Sequence, residues 1–425
     1  MESTQDTITW DSYIKAASKA AELSQYSDAE KLYQKALVEA ETVGKERGDG
    51  STDDVKAHIL LSLGDLYWTQ GWHAEAEQVY KSALDLRQKN EGEQSLGAAE
   101  CLNKIAMVYR AQGRYGEVEP YFRKALAIYE VAADPDDLKV ASTLESLADF
   151  YKAHGKYAQA EPLFQKSVSI RERALGEEHP SIGDDLTNLA LVYHASGKYD
   201  HAEPLYERAL KIAENNWGSD HPSVATVLNY QAELYRMKSK FEESERVHWR
   251  ALKIRQKALG LEHPSTAQSL SNLALLFHLQ CKYHQAEPLY KTLLEIRTKD
   301  WGPNHMHVAE ILNNLAEVYQ DQGNCAEAEP LYWRALTITQ ENLGQEHPSV
   351  AKALRNLAEL YEEQANFDEA DRLYKWGLGM SESLGTEHPD VAALMSRYAA
   401  LQKKMMDHEF DEDADDAPPW RDNSN

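Results

Sequence analysis

Apolar positions in this chain follow a helical period that is interrupted at regular intervals. Leu186, Leu189 and Tyr193 are spaced i, i+3, i+7, which places them on one stripe of an α-helix. Gly197 breaks the pattern, and a second apolar stripe of the same period follows over residues 202–210. The pattern predicts two antiparallel helices that are joined by a short turn.

This hairpin pattern recurs every 42 residues over most of the chain. Columns of tyrosine and of alanine keep the same spacing as a column of leucines. Because one hairpin of this size cannot bury its apolar face alone, neighbouring hairpins must stack to complete the core. The sequence therefore predicts an all-α solenoid. The leucine column consists of Leu60, Leu102, Leu144, Leu186, Leu228, Leu270, Leu312 and Leu354.

The repeats lie between atypical ends. The C-terminal tail has no periodicity and carries six acids within residues 408–417, so we expect it to be disordered when unbound. In the helix before it, Ala392, Met395 and Ala399 are expected to face the core. The predicted segments are a divergent helix hairpin and loop at 1–52, eight 42-residue repeats at 53–387, a capping helix at 388–407 and the acidic tail at 408–425.

Glycine, histidine and proline mark the helix boundaries. Gly176 is placed to cap the end of one helix, and Pro180 suits the first turn of the next. Histidines such as His179 recur at 42-residue intervals, which invites a metal-site interpretation. Equivalent residues of stacked repeats lie about 10 Å apart, too far to share a zinc ion, so a role at the helix start is favoured. A further proline column is expected within the first turn of the second helices, at Pro120, Pro162, Pro204, Pro288 and Pro330.

Composition narrows the classes of partner. The chain has 70 acidic and 45 basic residues, a formal net charge of -25, which argues against nucleic acid and anionic membranes and favours basic peptides. The three cysteines are too few for a disulfide framework, and Cys281 and Cys325 are expected to be free thiols. The first ten residues lack a secretory signature and no apolar stretch reaches membrane-spanning length, so we expect a soluble, cytoplasmic protein.

Motifs of catalysis do not stand out in the sequence. It contains no HExxH, GxSxG, Walker or dinucleotide-binding pattern. Serine, histidine and aspartate residues are scattered without a spacing that would bring them together. We therefore expect a protein that is not an enzyme and that needs no cofactor or metal.

The repeat resembles a known family. The 42-residue tetratricopeptide repeat of kinesin light chains is similar to this chain over about residues 53–400. The resemblance implies a right-handed superhelix whose concave face, lined by the first helix of each pair, binds extended peptide segments. The matching residues include Asn188-Leu189-Ala190, Tyr193, Gly197-Lys198-Tyr199, Ala202-Glu203-Pro204-Leu205-Tyr206, Arg208-Ala209-Leu210 and His221-Pro222.

The resemblance also locates a candidate groove on the first helices. The position two residues after each column leucine is repeatedly asparagine, and an amide can both donate to and accept from a peptide backbone. The alternative is a solvated polar face. The candidate groove residues are Lys104, Asn188, Leu191, Tyr230, Arg236, Met237, Asn272, Leu275, Leu279, Asn313, Asn314, Glu317, Arg355 and Asn356.

Side chains at the other candidate groove positions predict which chemical groups a ligand would carry. Leu191, Tyr230, Met237, Leu275 and Leu279 form an apolar patch suited to an anchor residue. Acidic residues concentrate toward the C-terminal end, so we expect a ligand with an apolar anchor and a basic segment. These acids are Glu317, Asp321, Glu359, Glu362 and Glu363.

Alternatives to a peptide-binding scaffold remain open. The chain could be a regulatory subunit that occludes an enzyme or a transcription factor, a kinesin light chain-like cargo adaptor, or an assembly factor that binds through its convex face. The acidic tail around Trp420 could occupy the groove as an intramolecular competitor, because kinesin light chain grooves accept tryptophan-acidic peptides. A solubilising tail is the simpler interpretation.

Overall fold

The computed structural model describes residues 10–47, 52–134, 136–379 and 389–415, without the side chains of residues 47 and 407–415. These residues form nineteen α-helices and no strand. They divide into two compact units, Met1–Ser219 and Asp220–Asn425. None of the helices in the described ranges is long and apolar enough to span a bilayer.

Unit 1 contains ten helices in five antiparallel hairpins. Within it, consecutive helices pack against each other, so each hairpin stacks on the next. The odd-numbered helix is the first of each pair. The helices are α1 (Trp10–Glu22), α2 (Tyr26–Arg47), α3 (Asp53–Thr69), α4 (His73–Glu91), α5 (Leu96–Ala111), α6 (Tyr115–Ala132), α7 (Leu138–Ala153), α8 (Tyr157–Leu175), α9 (Pro180–Ala195) and α10 (Tyr199–Trp217).

Unit 2 contains four hairpins and a terminal helix, which packs against the last hairpin. The same stacking of helix pairs confirms the all-α solenoid fold that the 42-residue period predicts. The helices are α11 (Pro222–Met237), α12 (Phe241–Leu259), α13 (Pro264–Leu279), α14 (Tyr283–Trp301), α15 (Met306–Asp321), α16 (Cys325–Leu343), α17 (Pro348–Glu363), α18 (Phe367–Gly379) and α19 (Pro389–Asp415).

The core combines large aromatic side chains with very small ones. Tyr206, Tyr290 and Tyr332 on second helices are buried. Alanine at the start of those helices is also fully buried, as at Ala202 and Ala286, and its size lets the two helices of a hairpin approach closely. This pairing of large and small side chains explains why tyrosine and alanine each recur at a fixed position in the repeat.

The histidine column caps the first helices. The Nδ1 atom of His179 accepts a hydrogen bond from the backbone N–H of Ser181 at 3.3 Å, and four further histidines do the same at 3.1–3.2 Å. This bond satisfies a backbone donor that the helix itself leaves unpaired. The interpretation of the histidines as helix-start residues is confirmed. The other four are His221, His263, His305 and His347.

Gly176 ends α8 as expected. Its φ of +84° lies in the left-handed region that favours glycine, and its N–H donates to the carbonyl oxygen of Glu172. Turns inside the hairpins use a positive φ as well, at Gly197 (+72°) and also at Cys281 (+57°). Cys281 and Cys325 are free thiols in the structure, as expected.

The second proline column does not lie in the first helical turn. Helix α8 begins at Tyr157, so Pro162 is its sixth residue, and the other four prolines occupy equivalent positions. The prediction was wrong because the helix starts directly after the hairpin turn, several residues earlier than the proline suggested. Each proline removes one helical hydrogen bond, but the residue four positions before it, such as Ala158, is exposed, so its carbonyl can bond to water.

The terminal helix α19 differs from the expected cap in two respects. Its buried residues are Val391, Leu394 and Leu401, whereas Ala392, Met395 and Ala399 are exposed. The larger aliphatic side chains remove more apolar surface from water, which determines which stripe packs inward. The helix also continues to Asp415, past the expected end at 407, because no proline interrupts it before Pro418. The remainder of the predicted tail, including Trp420, lies outside the described residues.

Candidate functional site

Unit 2 exposes large apolar side chains on its first helices. On α11, Tyr230 is 36% and Met237 is 44% exposed, and on α13, Leu275 is 39% and Leu279 is 50% exposed. The core stripes of the same helices bury Leu228 and Leu270. Since the core does not enclose these four residues, they leave apolar surface exposed on the first helices.

Unit 1 carries three of the candidate residues. The Nζ atom of Lys104 on α5 lies 2.6 Å from Oδ1 of Asp65. The amide oxygen of Asn188 on α9 accepts a hydrogen bond from Lys152 at 2.9 Å, and Leu191 is half-buried. Both polar candidates of this unit are therefore engaged with a charged residue of the preceding hairpin.

The asparagine column is not a uniform row of exposed amides. Asn356 is only 6% exposed and donates to Glu317 at 3.3 Å, so it does not lie on the open surface that the sequence suggested. The amide oxygen of Asn272 accepts from Gln268 at 2.8 Å, and Asn314 is half-buried. Spacing alone places these residues on the same helix face, but the neighbouring side chains decide which of them is accessible.

Asn313 lies next to this column and has a different environment. Its amide oxygen is buried and makes no hydrogen bond among the described residues, and the equivalent oxygen of Asn103 in unit 1 behaves in the same way. A buried acceptor without a donor carries a desolvation penalty. Asn313 is therefore a polar group that a water molecule or a ligand donor would satisfy.

Basic residues of α19 compensate part of the acidic surface of unit 2. The Nε atom of Arg397 lies 2.9 Å from Glu359, and the Nζ atom of Lys404 lies 2.9 Å from Glu362. Arg355, a candidate groove residue, lies within 3.9 Å of Glu359. The terminal helix thus supplies two cations to the acidic end of the first helices.

The remaining acids of this surface have weaker or neutral partners. Oδ2 of Asp321 lies 2.8 Å from Nε2 of His278. The carboxylate of Glu363 accepts a hydrogen bond from the side-chain amide of Gln320 at 2.8 Å. Burial raises the pKa of Glu317 above its ordinary range. Arg236, the one basic candidate in unit 2 near the apolar residues, pairs with Glu233 at 2.8 Å. Negative charge without a cationic partner therefore remains at Glu363, whose carboxylate accepts from the neutral amide of Gln320.

A buried polar network in unit 1 was not anticipated from the sequence. Arg171 on α8 is 8% exposed and contacts the fully buried carboxylate of Asp185 on α9, and its Nη2 donates to Glu145 on α7 at 2.6 Å. The signal was a glutamate and an aspartate, Glu145 and Asp185, on first helices next to an arginine that recurs on the second helices at Arg87, Arg255 and Arg297. Reading columns one at a time does not show that these positions meet between hairpins.

Two carboxylates share the one guanidinium of this network. Burial acts to lower the pKa of Arg171, but Glu145 and Asp185 outweigh it and hold that pKa above its ordinary value. Burial raises the pKa of Asp185 to about 6, against the opposing effect of Arg171. The two directions are compatible, because protonation of Asp185 still leaves the ion pair between Arg171 and Glu145 intact.

This network predicts a pH dependence of stability. Asp185 has a pKa of about 6 when folded, whereas an unfolded aspartate has a pKa of about 3.9. The folded state therefore binds the proton more tightly than the unfolded state. The contribution of Asp185 to the free energy of unfolding is fully present below about pH 4 and is lost as the pH rises through about 6.

Asp185→Asn is expected to reduce the loss of stability between about pH 4 and pH 7, measured as the midpoint of urea denaturation. Asp136→Asn, at an exposed ion pair with Arg173, should leave the profile unchanged. Identical profiles for Asp185→Asn and the parent chain would contradict the assignment.

Metal ligation is not apparent in the described ranges, which hold no cluster of three or more histidine, cysteine, aspartate or glutamate side chains able to bind an ion. The histidines that recur at 42-residue spacing are instead used in helix capping. The site is thus a surface of side chains on first helices, apolar at α11 and α13 and acidic at α15 and α17.

Two solved structures share the fold of this chain, and the chain is similar to part of a third. The STAND protein PH0952 from Pyrococcus horikoshii, a signal transduction ATPase with a tetratricopeptide repeat sensor, is 15% identical, with a TM-score of 0.58 over 88% of this chain and 55% of its own. The apo form of RapI is 14% identical, with a TM-score of 0.51 over 67% of this chain and 98% of its own. BtubC (BKLC) from P. vanneervenii is 24% identical, with a TM-score of 0.44 over 59% of this chain and 91% of its own. A search of curated proteins found no match.

Comparison with protein families is more specific. The tetratricopeptide repeat family matches residues 55–130, 139–215, 218–299 and 307–383, and a second description of the same repeat matches residues 14–91. These matches cover well over half of the chain and include every hairpin from α1 to α18. The chain therefore belongs to the tetratricopeptide repeat family, and its repeats have a period of 42 residues.

Proposed function

We propose that the chain is a non-catalytic scaffold that binds extended peptide segments of partner proteins along its first helices. Tetratricopeptide repeats in general form protein-interaction scaffolds, and the family membership supports that role. The finer proposal depends on one observation, the four exposed apolar side chains on α11 and α13. A ligand side chain that covers them removes apolar area from water, which is the main source of affinity at such surfaces.

The charges around the apolar residues suggest how a ligand would be oriented. Glu363 on α17 has only the neutral Gln320 of α15 as a described hydrogen-bond donor, whereas Glu359 and Glu362 are paired with α19. A basic segment of the ligand would gain from lying along α15 and α17, because opposite charges steer and align a bound peptide. We therefore propose a ligand with an apolar anchor at α11 and α13, followed by basic residues.

Polar groups would hold the peptide backbone. Asn272 and Asn314 are half-buried, and Asn313 contributes a buried oxygen without a donor. A peptide backbone lying along α13 and α15 would hydrogen-bond to the half-buried amides of Asn272 and Asn314, which reach the surface. Asn356 is the least suitable of the asparagines, because it is buried against Glu317.

Binding to randomly displayed peptides provides the test. Peptides selected on the immobilised full chain are measured by fluorescence polarisation against Tyr230→Ala and Leu275→Ala. Each substitution is expected to weaken binding by about 2 kcal/mol or more, since it removes part of the anchor surface. Circular dichroism should be unchanged, because both side chains are outside the core.

A matched control is available in the same unit. Leu261 is 45% exposed but lies in the turn after α12, away from the first-helix face, so Leu261→Ala should bind like the parent chain. Unchanged affinity in both Tyr230→Ala and Leu275→Ala would exclude the apolar anchor. If a partner protein stays bound to the chain in the presence of excess selected peptide, it binds another surface, such as the second helices.

A further inference from the structure

One second helix of unit 2, α12, carries a run of basic residues. From Arg246 to Leu259 it has five arginines and lysines and no acid, in a chain whose formal net charge is -25. Arg255 is 7% exposed and donates to Oγ of Ser269 at 2.9 Å, so it belongs to the core. The other four are exposed and are called the basic stripe here: Arg246, Arg250, Lys253 and Lys257.

Helical spacing brings the four side chains of the basic stripe together. They follow one another at intervals of four, three and four residues, which places them on one side of α12. With a rise of about 1.5 Å per residue, the stripe is about 16 Å long. The hydrogen bond from Lys257 holds the pKa of Asp220 below its ordinary value, and Lys253 and Arg250 add to that effect. These three cations therefore act on the same region of the surface.

Stacking of the hairpins accounts for two positions of the stripe. At the position equivalent to Arg250, Lys166 on α8 pairs with Glu130 on α6 at 2.8 Å. Lys257 pairs with Asp220, which lies in the connection before α11. Cations at these two positions therefore tie a second helix to the structure that precedes it.

The other two positions have no such explanation. Arg246 and Lys253 have no carboxylate within 4.0 Å in the part of the chain that the structure describes. At the position of Arg246, five other second helices have proline. At the position of Lys253, the next two second helices have Glu295 and Thr337. The packing of the repeats does not require a cation at either place, so both charges are available to a ligand.

An exposed tryptophan lies within the stripe. Trp249 is three residues after Arg246 and four before Lys253, which places it on the same side of α12, and it is 45% exposed. Its ring centroid lies 6.4 Å from that of Phe277 on α13. The contact with Phe277 supports the indole while part of its surface stays open. The stripe thus offers an apolar contact beside its cations.

Acids limit the stripe at both ends. Glu242 and Glu243 are exposed in the first turn of α12, and the exposed Asp220 and Glu262 lie at its other end. A long polyanion such as nucleic acid would run from the stripe onto these carboxylates, and the net charge of the chain would repel it. A short acidic segment has favourable charge complementarity over the stripe alone.

We propose that the basic stripe of α12, together with Trp249, docks a short acidic segment of a partner protein. An extended chain of about five residues spans the stripe. Its carboxylates accept charge-assisted hydrogen bonds from Arg246 and Lys253, and an apolar side chain among them covers Trp249. This surface lies on a second helix and prefers acidic ligands, whereas the groove proposed above lies on first helices and prefers basic ones.

A synthetic acidic peptide is the probe for the first test. It is an octapeptide with four glutamates and one leucine among glycines, capped at both ends and labelled with a neutral fluorophore. Fluorescence polarisation with the full chain at low ionic strength is expected to show saturable binding that weakens as sodium chloride screens the exposed charges. The same peptide with glutamine in place of glutamate should not bind. Absence of saturable binding, or equal binding of the glutamine peptide, overturns the proposal.

Charge reversal locates the site. Arg246→Glu and Lys253→Glu are each expected to weaken binding by about fivefold or more, because an attraction becomes a repulsion. Arg334→Glu is the matched control, since it makes the same change in net charge. Arg334 is exposed on α16, but Pro330 and Thr337 stand beside it in place of cations, so this variant should bind like the parent chain. An equal loss of affinity in Arg334→Glu and Lys253→Glu would be a general effect of charge and overturns the proposal.

Two further sets of measurements complete the test. If circular dichroism shows that a reversed charge disrupts the helices, Arg246→Gln and Lys253→Gln decide, and unchanged affinity in both overturns the proposal. Trp249→Ala should weaken binding by about threefold or more, and unchanged affinity overturns the assignment of the apolar contact. A thymidylate octamer with the same label tests the class of partner. Weaker binding than that of the acidic peptide supports a protein segment, and tighter binding that Lys253→Glu abolishes overturns that choice in favour of nucleic acid.

Discussion

Arg171→Met is expected to lower the free energy of unfolding by about 3–5 kcal/mol at neutral pH. Asp185 is completely buried, and without Arg171 its charge has only Ser167 as a side-chain hydrogen-bond donor among the residues that the structure describes. Methionine fills much of the arginine volume, so the loss reflects the uncompensated charge rather than a cavity. The measurement is urea denaturation followed by circular dichroism.

Two further variants separate charge from packing. Lys166→Met, on α8 like Arg171, removes an exposed ion pair with Glu130 of α6 and should change the midpoint little. Combining Arg171→Met with Asp185→Leu removes the stranded carboxylate and should recover most of the lost stability. A single variant as stable as the parent chain would show that this network does not hold α7, α8 and α9 together.

Gly64→Val is the second substitution with a large expected effect, a loss of about 3 kcal/mol or more. A Cβ atom at Gly64 on α3 would lie 2.4 Å from Cε1 and 2.7 Å from Cδ1 of Tyr80 on α4. The tyrosine ring is 1% exposed and its hydroxyl donates to Asp65 at 2.6 Å, so the ring cannot swing away without losing both its packing and its hydrogen bond. Thermal unfolding of the full chain measures the loss.

Gly116→Ala is the matched control for this substitution. A Cβ atom at Gly116 on α6 would meet nothing within 4 Å. Alanine also has the higher helix propensity, so the change should be neutral or slightly stabilising. Comparable destabilisation in the two variants would mean that loss of glycine itself, and not contact with Tyr80, is responsible.

Periodic features of this fold could be predicted from the sequence, because each depends on positions within one repeat. The 42-residue spacing predicted the hairpins, and the histidine column predicted the helix starts that His179 and its equivalents cap. The proline column was misplaced because Pro162 was taken to mark the start of α8, whereas the turn before Tyr157 sets it. The proline and the hairpin turn indicate different starting points for the helix, and the helix begins directly after the turn.

Features that depend on differences between repeats could not be predicted in this way. Whether Asn188 or Asn356 is accessible depends on Lys152 and Glu317, which stand on neighbouring hairpins and differ from repeat to repeat. The exposed apolar residues of α11 and α13 were located correctly by spacing, but their use as an anchor remains a proposal. The pairing of Arg397 with Glu359 required knowledge of how α19 packs.

The paired networks of Arg171 and Arg255 have a practical consequence for protein engineering. Arg171 on α8 and Arg255 on α12 stand at equivalent positions, but Arg171 meets the acids Glu145 and Asp185 where Arg255 meets the neutral Asn229 and Ser269. Exchanging those two side chains therefore changes the local electrostatics of a hairpin while its helices keep their places. In a repeat array of this type, the charge of the buried polar groups can therefore be changed in one hairpin at a time.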